Sequence, residues 1–365
     1  MTTTDSPLLA PLRFRNGAPA KNRIWLAPLT NQQSHPDGSL SDDELNWLMR
    51  RAEGGFGVVE TCAAHVATDG KAWEGELGVF DDRLLPGLTR LASAITGAGA
   101  TGLVQLFHGG RRADPKLNGG RTWSASATSE EGTPTPAEGT VAEIEAAIGH
   151  FRDAAVRAER AGFQGVELHG AHGYLLAQFL SSTQNQRTDA WGGSFENRAR
   201  LLRETMRAVR AATKKSFIVG VRISPEDFGQ SKGLDLDETL QLATWLCDDG
   251  ADFIHASLWK AFRNTTKRPA EHPIPLLRAA ISREVPLVVA GAIWTRAEGE
   301  SLLAMGADAV ALGRSAIANP EWPLRIADAT WQPKLAPLTI PELIERGLSP
   351  TFASYLRAFR GMVAE

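Results

Sequence analysis

The chain has 365 residues, with 39 Lys+Arg against 42 Asp+Glu, and its formal net charge of −3 excludes a nucleic-acid binder that works through bulk positive charge. Hydrophobic residues make up 43% and charged residues 22%, the composition of a folded protein with a large core rather than of a disordered chain. Two cysteines, Cys62 and Cys247, exclude a disulfide framework and any four-thiolate zinc or iron–sulfur site within the chain.

Residues 1–15 carry no apolar run long enough for a signal peptide, and no later run spans a bilayer, so a cytoplasmic location is expected. Short, near-continuously apolar runs then alternate with helical patterns, as expected of parallel strands covered on both faces. The predicted strands are 23–29, 57–62, 102–108, 165–169, 217–223, 252–256, 287–290 and 309–312. Between them fall predicted helices at 42–53, 83–96, 141–161, 194–212, 236–249, 274–283 and 296–305. A glycine recurs a few residues before several strands, at Gly99, Gly162, Gly250 and Gly306, where it closes a helix and returns the chain to the sheet.

Eight β/α units in a chain of this length predict an α/β fold, a (β/α)₈ TIM barrel forming one domain over residues 1–365, with its core at about 8–330. No G-x-G-x-x-G follows the first strand, so the dinucleotide fingerprint of doubly wound folds is missing. Two segments exceed the minimal barrel. Residues 109–139, rich in Gly, Ser, Thr and Pro, form a long insertion after the third strand that reads as a lid or substrate-side loop. A tail at 331–365 carries several prolines before a last helical stretch at 349–363, expected to pack under the barrel or against a neighbouring subunit.

In this fold the functional residues sit just after the strands. Read that way, the candidates are Pro28, Leu29 and Thr30, then Ala63, Gln105, His108, His169, His172, Tyr174, Arg222, Ser257, Gly291, Gly313 and Arg314. Gly291 and Gly313-Arg314 follow the last two strands, where barrels commonly cradle a phosphate; glycine admits close backbone N–H approach and arginine adds charged donors. The alternative is that these glycines only mark tight turns.

His169-Gly-Ala-His172-Gly-Tyr174 is the densest polar cluster in the sequence. A metal reading lacks a completing Asp, Glu or Cys within the segment, so no metal is expected; a hydrogen-bonded structural pair is a second reading. The third is two imidazole donors that hold a carbonyl or phenolate oxygen while a phenol supplies a proton. Tyr174 stands out here because the chain has only one other tyrosine, Tyr355. Arg222, inside an apolar strand, needs an anion or acceptor, and Gln105 poses the same question. Together they suit a planar heterocycle that gains negative charge on reduction, a flavin with its phosphate at the last two strands.

These residues resemble the Old Yellow Enzyme family of FMN-dependent ene reductases, from about Leu8 to about Pro323. The most specific stretch runs from His169-Gly-Ala-His172-Gly-Tyr174 through Gln178-Phe-Leu-Ser to Asn185-Gln-Arg187-Thr-Asp189-Ala-Trp-Gly192-Gly193-Ser194-Phe-Glu-Asn197-Arg198. The resemblance implies FMN as the bound cofactor and NADPH or NADH as hydride donor. It implies that Gln105 and Arg222 contact the flavin's pyrimidine edge, that Pro28, Leu29, Thr30 and Ala63 line the ring, and that Gly291, Gly313 and Arg314 take the phosphate. His169 and His172 would anchor a substrate oxygen and Tyr174 would donate a proton to Cα of an alkene that receives hydride at Cβ.

The expected partners are small electron-poor alkenes, with no nucleic acid and no membrane, and a homo-oligomer is compatible. Thr30 and Gln32 replace a cysteine and a tyrosine found in one branch, whereas His172 matches that branch. Tyr355, Arg357 and Phe359 are the candidates for a tail residue that completes a neighbour's pocket, as in some relatives. The run at 185–198 is expected to be structural, and His35, His65, His150, His255 and His272 to lie on the surface or satisfied in the core. Two rival readings are a flavin-binding redox protein that reduces no alkene and a flavin-free phosphate-binding barrel lyase or isomerase.

Overall fold

Eight parallel strands close into a barrel in sequence order: β1 (Ile24–Leu26), β2 (Val58–His65), β3 (Thr101–Phe107), β4 (Gly165–Gly170), β5 (Ile218–Ile223), β6 (Phe253–Ser257), β7 (Leu287–Ala290) and β8 (Ala309–Leu312). The computed structural model describes residues 6–129, 134–229 and 231–364. The crossovers are α1 (Asp42–Glu53), α2 (Leu85–Gly97), α3 (Val141–Arg160), α4 (Phe195–Ala212), α5 (Leu236–Asp248), α6 (Pro273–Ala280) and α7 (Arg296–Ala304). The expected (β/α)₈ barrel is therefore the fold of this chain.

Local chemistry sets the boundaries. Ser41 caps α1 by accepting from the Glu44 N–H, and Thr140 with Glu143 forms a capping box at the start of α3. Gly99, Gly162, Gly250 and Gly306 have φ of 71°, 94°, 102° and 116°, the left-handed turn that sends each helix back to the sheet. β1 is shorter than expected because the ladder ends near Pro28, which has no N–H to offer. β2 is longer than expected and carries a bulge between Glu60 and Ala63 that turns the next residues toward the mouth.

Strand side chains alternate between two cores. Val166, Leu168, Val219, Val221, Ile254 and Ala256 face the helices in one cluster, whereas Trp25, Leu103, Ile218, Phe253 and Val288 belong to a second cluster inside the barrel. A short antiparallel ribbon, Leu12–Arg13 with Ala20–Pro19, closes the N-terminal end, and its Phe14 ring packs 5.6 Å from Trp25 and 5.8 Å from Phe253. Gly220 is glycine because a Cβ there would stand 2.1 Å from the Phe253 ring. The barrel is thus plugged with aromatic rings at one end and polar at the other.

The insertion is tied down rather than free along its described part. Trp123 pairs with residue 137 in a two-stranded ribbon, is 2% exposed and donates from Nε1 to Asp69 at 2.8 Å. Residues 130–133 of the expected lid, and residues 1–5 of the amino terminus, lie outside the described residues. The tail departs from expectation in length and place. Ile340–Glu345 forms a helix that was not expected, and of the expected stretch at 349–363 only Pro350–Tyr355 is α-helical; a 3₁₀ turn follows, and Val363 bridges to Leu338 beyond a left-handed Gly361. Phe352 packs edge-on against Trp47 of α1 at 4.9 Å, so the tail covers the side of the first β/α unit and not the underside of the barrel. Among the described residues no helix is long and apolar enough to cross a membrane.

Candidate active site

The C-terminal ends of the strands surround a cleft lined by Pro28, Thr30, Ala63, Trp73, Gln105, His169, His172, Tyr174 and Arg222. Register explains the gathering: Ala63 pairs with Gln105, Gln105 with Glu167, His169 with Arg222, and Arg222 with His255. Inward positions of five neighbouring strands therefore fall on one level. Each of the four non-glycine residues of positive φ among the described residues, Gln32, His172, Trp259 and Ala292, lies in a loop after a barrel strand. Backbone strain is concentrated at the mouth.

His169 Nε2 and His172 Nδ1 face each other at 3.3 Å, and His172 Nε2 lies 2.7 Å from the Ser257 hydroxyl. The Ala171 N–H donates to His169 Nδ1 at 3.4 Å, which assigns the His169 proton to Nε2. Burial, followed by the positive charge of Arg222, holds both imidazoles well below their usual range, so they are neutral donors and acceptors at neutral pH. The Tyr174 ring is 5.0 Å from His169, 4.5 Å from Phe107 and 4.4 Å from the Arg112 guanidinium carbon. Burial pushes its phenol up from the ordinary value, against the pull of Arg112, so Tyr174 keeps its proton.

Arg222 is 7% exposed; its Nη2 donates to Ser257 Oγ at 3.1 Å and its Nε has no partner. A guanidinium is donor-only and charged, so a buried, incompletely used one beside a cleft calls for a ligand with acceptors. The Trp73 indole N–H is likewise unpartnered. The orphaned Arg222 donor, with Gln105, fits the carbonyl and ring-nitrogen edge of a flavin, whereas Trp73 packs against Phe107 and near Tyr174.

Three residues of the expected phosphate end lie apart from the cleft. Gly291 and Gly313 follow β7 and β8, and the Arg314 side chain is exposed with no hydrogen bond or ion pair among the described residues. A Cβ on Gly291 would stand 2.7 Å from the Ala261 nitrogen, so this glycine also serves the packing of the loop after β6. Leu29 turns toward Gly313, whose added Cβ would meet its side chain at 3.4 Å.

Three residues beneath the cleft were not singled out from the sequence as functional. Glu60, Glu167 and His255 are buried, with one titratable atom of each within 4.8 Å of the others. His255 Nδ1 lies 2.7 Å from Glu167 Oε2, and Glu167 Oε1 accepts from Gln105 Nε2 at 2.7 Å. Burial and the neighbouring Glu167 push the Glu60 carboxyl well above its usual range. Burial opposes ionisation of Glu167 too, yet His255, Arg222 and Gln105 hold it lower than usual. Trp73, in the loop after β2, carries no signal in the sequence beyond being aromatic.

Other residues turn out structural. His108 accepts from the Gly110 N–H at 3.1 Å and its ring stacks edge-on against Trp123, which anchors the insertion. Asn185 and Arg187 bind the backbone carbonyls of Phe179, Trp191, Ala125 and Gly139, as the structural reading of that run expects. The Tyr355 phenol lies against Thr30 and within electrostatic reach of Tyr174, so the tail reaches the mouth of its own barrel.

A model of the NADH:flavin oxidoreductase / NADH oxidase family matches residues 7–331. A probable NADH-dependent flavin oxidoreductase of Bacillus subtilis is 36% identical over 337 residues, 90% of each chain. An NADH:fumarate oxidoreductase of Klebsiella pneumoniae is 36% identical over 338 residues, 89% of this chain, which spans 36% of that longer protein. Among solved structures, the Old Yellow Enzyme homologue of Zymomonas mobilis superposes with a TM-score of 0.80 at 27% identity, over 95% of this chain and 99% of that one. Morphinone reductase gives 0.82 at 25% identity, over 97% of both.

Proposed function

This chain belongs to the NADH:flavin oxidoreductase / NADH oxidase family, that of Old Yellow Enzyme, and is an NAD(P)H-dependent flavin oxidoreductase that works with FMN; we propose that its electron acceptor is an electron-poor alkene, an α,β-unsaturated carbonyl or nitro compound. The observation that carries this reading is the facing pair His169 Nε2 and His172 Nδ1, 3.3 Å apart, with the Tyr174 ring beside them on a cleft that also holds Arg222.

FMN supplies a carrier that accepts hydride from a nicotinamide and passes it to a carbon. The chain's own residues do the rest. Arg222 and Gln105 hold the pyrimidine edge, with Arg222 offsetting the charge that gathers there; Pro28, Leu29, Thr30 and Ala63 line the ring; Gly291, Gly313 and Arg314 take the phosphate. His169 and His172 donate to the substrate oxygen and stabilise negative charge that develops on it. Neutral imidazoles suit this task, because they donate without repelling Arg222. Tyr174, protonated throughout the neutral range, delivers a proton to Cα.

The test uses purified holoenzyme without oxygen: NADH or NADPH bleaches the flavin, and cyclohexenone or maleimide then restores its colour. Bleaching without recovery across enones, nitroalkenes and maleimide defeats the alkene reading and favours the redox-carrier alternative.

A further inference from the structure

We propose that the sealed group Glu60, Glu167 and His255, beneath Arg222, takes up one proton whenever the flavin gains a hydride, and that the proton lands on Nε2 of His255. The inference rests on the reading above, in which the flavin's pyrimidine edge lies against Arg222.

On the polar level of the barrel interior β2 contributes Glu60, β3 Gln105, β4 Glu167 and His169, β5 Arg222, and β6 His255 and Ser257, whereas Ala27 just after β1, Ala290 of β7 and Ala311 of β8 are apolar. Below it the Phe14, Trp25 and Phe253 rings seal the barrel. Arg222 is positive and Glu167 negative, while Glu60 and His255 are neutral, Glu60 because burial keeps its proton on and His255 because burial outweighs the pull of Glu167. The charges therefore cancel before reduction.

Hydride from the nicotinamide brings two electrons and one proton to the ring and leaves it one negative charge richer. In a site of low dielectric that charge is costly unless a proton follows it from water. His169 Nε2, His172 Nδ1 and His172 Nε2 already face one another or Ser257. His255 differs: its Nδ1 is engaged with Glu167, and its Nε2 is buried without a partner. Glu60 already carries its proton beside Glu167, so it has no vacancy for the incoming one. Gln105, which lines the cleft, donates to Glu167, and Glu167 contacts His255 Nδ1, so hydrogen bonds join this group to the cleft.

Redox titration of the FMN-loaded protein at a series of pH values counts the protons taken up per electron pair. The expected count is two, with the absorbance of the reduced ring showing it anionic. A count of one, or a count of two with a neutral reduced ring, overturns the proposal. His255→Asn is expected to lower the count to one while Glu60→Gln leaves it at two; the reverse pattern removes His255 as the landing atom. Nitrogen-15 NMR of the wild-type imidazoles carries the same test should the His255 variant not fold, the expected signature being a second N–H on His255 after reduction; a His255 ring unchanged by reduction overturns the assignment. A chain that binds no FMN overturns the reading of the site itself, whereas an FMN-loaded chain with a count of one overturns this inference alone.

Discussion

His172 Nε2 lies 2.7 Å from the hydroxyl of Ser257, and that same hydroxyl accepts from Arg222 Nη2 at 3.1 Å. One serine thus joins the residue assigned to the substrate oxygen with the residue assigned to the flavin. A hydroxyl both donates and accepts, so it can partner either tautomer of His172 while Arg222 remains a donor. Ser257→Ala is expected to weaken binding of a carbonyl ligand about three- to tenfold, the equivalent of one net hydrogen bond of about 0.5–1.5 kcal/mol. Ser257→Thr keeps the hydroxyl and should restore most of it. Equal affinity in the alanine variant and the wild type would detach Ser257 from His172.

Tyr174→Phe separates the two half-reactions. Oxidation of the reduced enzyme by cyclohexenone is expected to slow by about 10²–10⁴, the usual worth of a positioned acid, while reduction by the nicotinamide keeps its rate. Because burial raises the phenol's pKa, the wild-type oxidative rate should show no loss from phenol ionisation below about pH 10. Stopped-flow traces of each half-reaction decide the matter: equal slowing in both removes Tyr174 from the proton-donor role.

The barrel and the rim of its site were legible in the sequence because both follow from short-range rules. Apolar runs, glycine helix stops and the placement of polar residues at and just past the strand ends yield Gln105, His169, His172, Tyr174 and Arg222, and all five line one cleft. An inward strand position looks the same whether it meets solvent, a hydrophobe or another charge; Gln105, His169 and Arg222 are inside strands as well, and what sets Glu60, Glu167 and His255 apart, their mutual contact, is not a short-range feature. Only closure of the sheet makes neighbours of residues from β2, β4 and β6. The tail shows the same limit. Its helix was predicted, but packing of Phe352 on Trp47, which carries Tyr355 to Thr30, depends on a contact between the two ends of the chain.

Arg314 offers a test of the phosphate end that leaves the ring site alone. It is exposed and unpaired among the described residues, so its removal disturbs no internal contact. Arg314→Ala is expected to weaken FMN by about 10- to 100-fold, the range for a charge-assisted hydrogen bond of about 1.5–3 kcal/mol. Riboflavin, which lacks the phosphate, should bind wild type and variant alike. Fluorescence titration of the apoprotein with both flavins makes the comparison, and a parallel loss of riboflavin affinity would place Arg314 elsewhere.

Glu60 makes stability depend on pH in a stated direction. Its carboxyl is held well above 4.5 in the folded chain, first by burial and then by Glu167, so the native state keeps a proton that the unfolded chain loses above about pH 4.5. More protons bound in the native state means that stability falls as pH rises from 4.5 toward the raised value, by up to about 1.4 kcal/mol for each pH unit. Glu60→Gln removes the titration and keeps the shape. Relative to wild type it should therefore gain little near pH 4.5 and progressively more as pH rises toward the raised value. Denaturant midpoints at saturating FMN across that range test it. A constant difference between the two proteins would mean that Glu60 is equally protonated in the folded and unfolded chains.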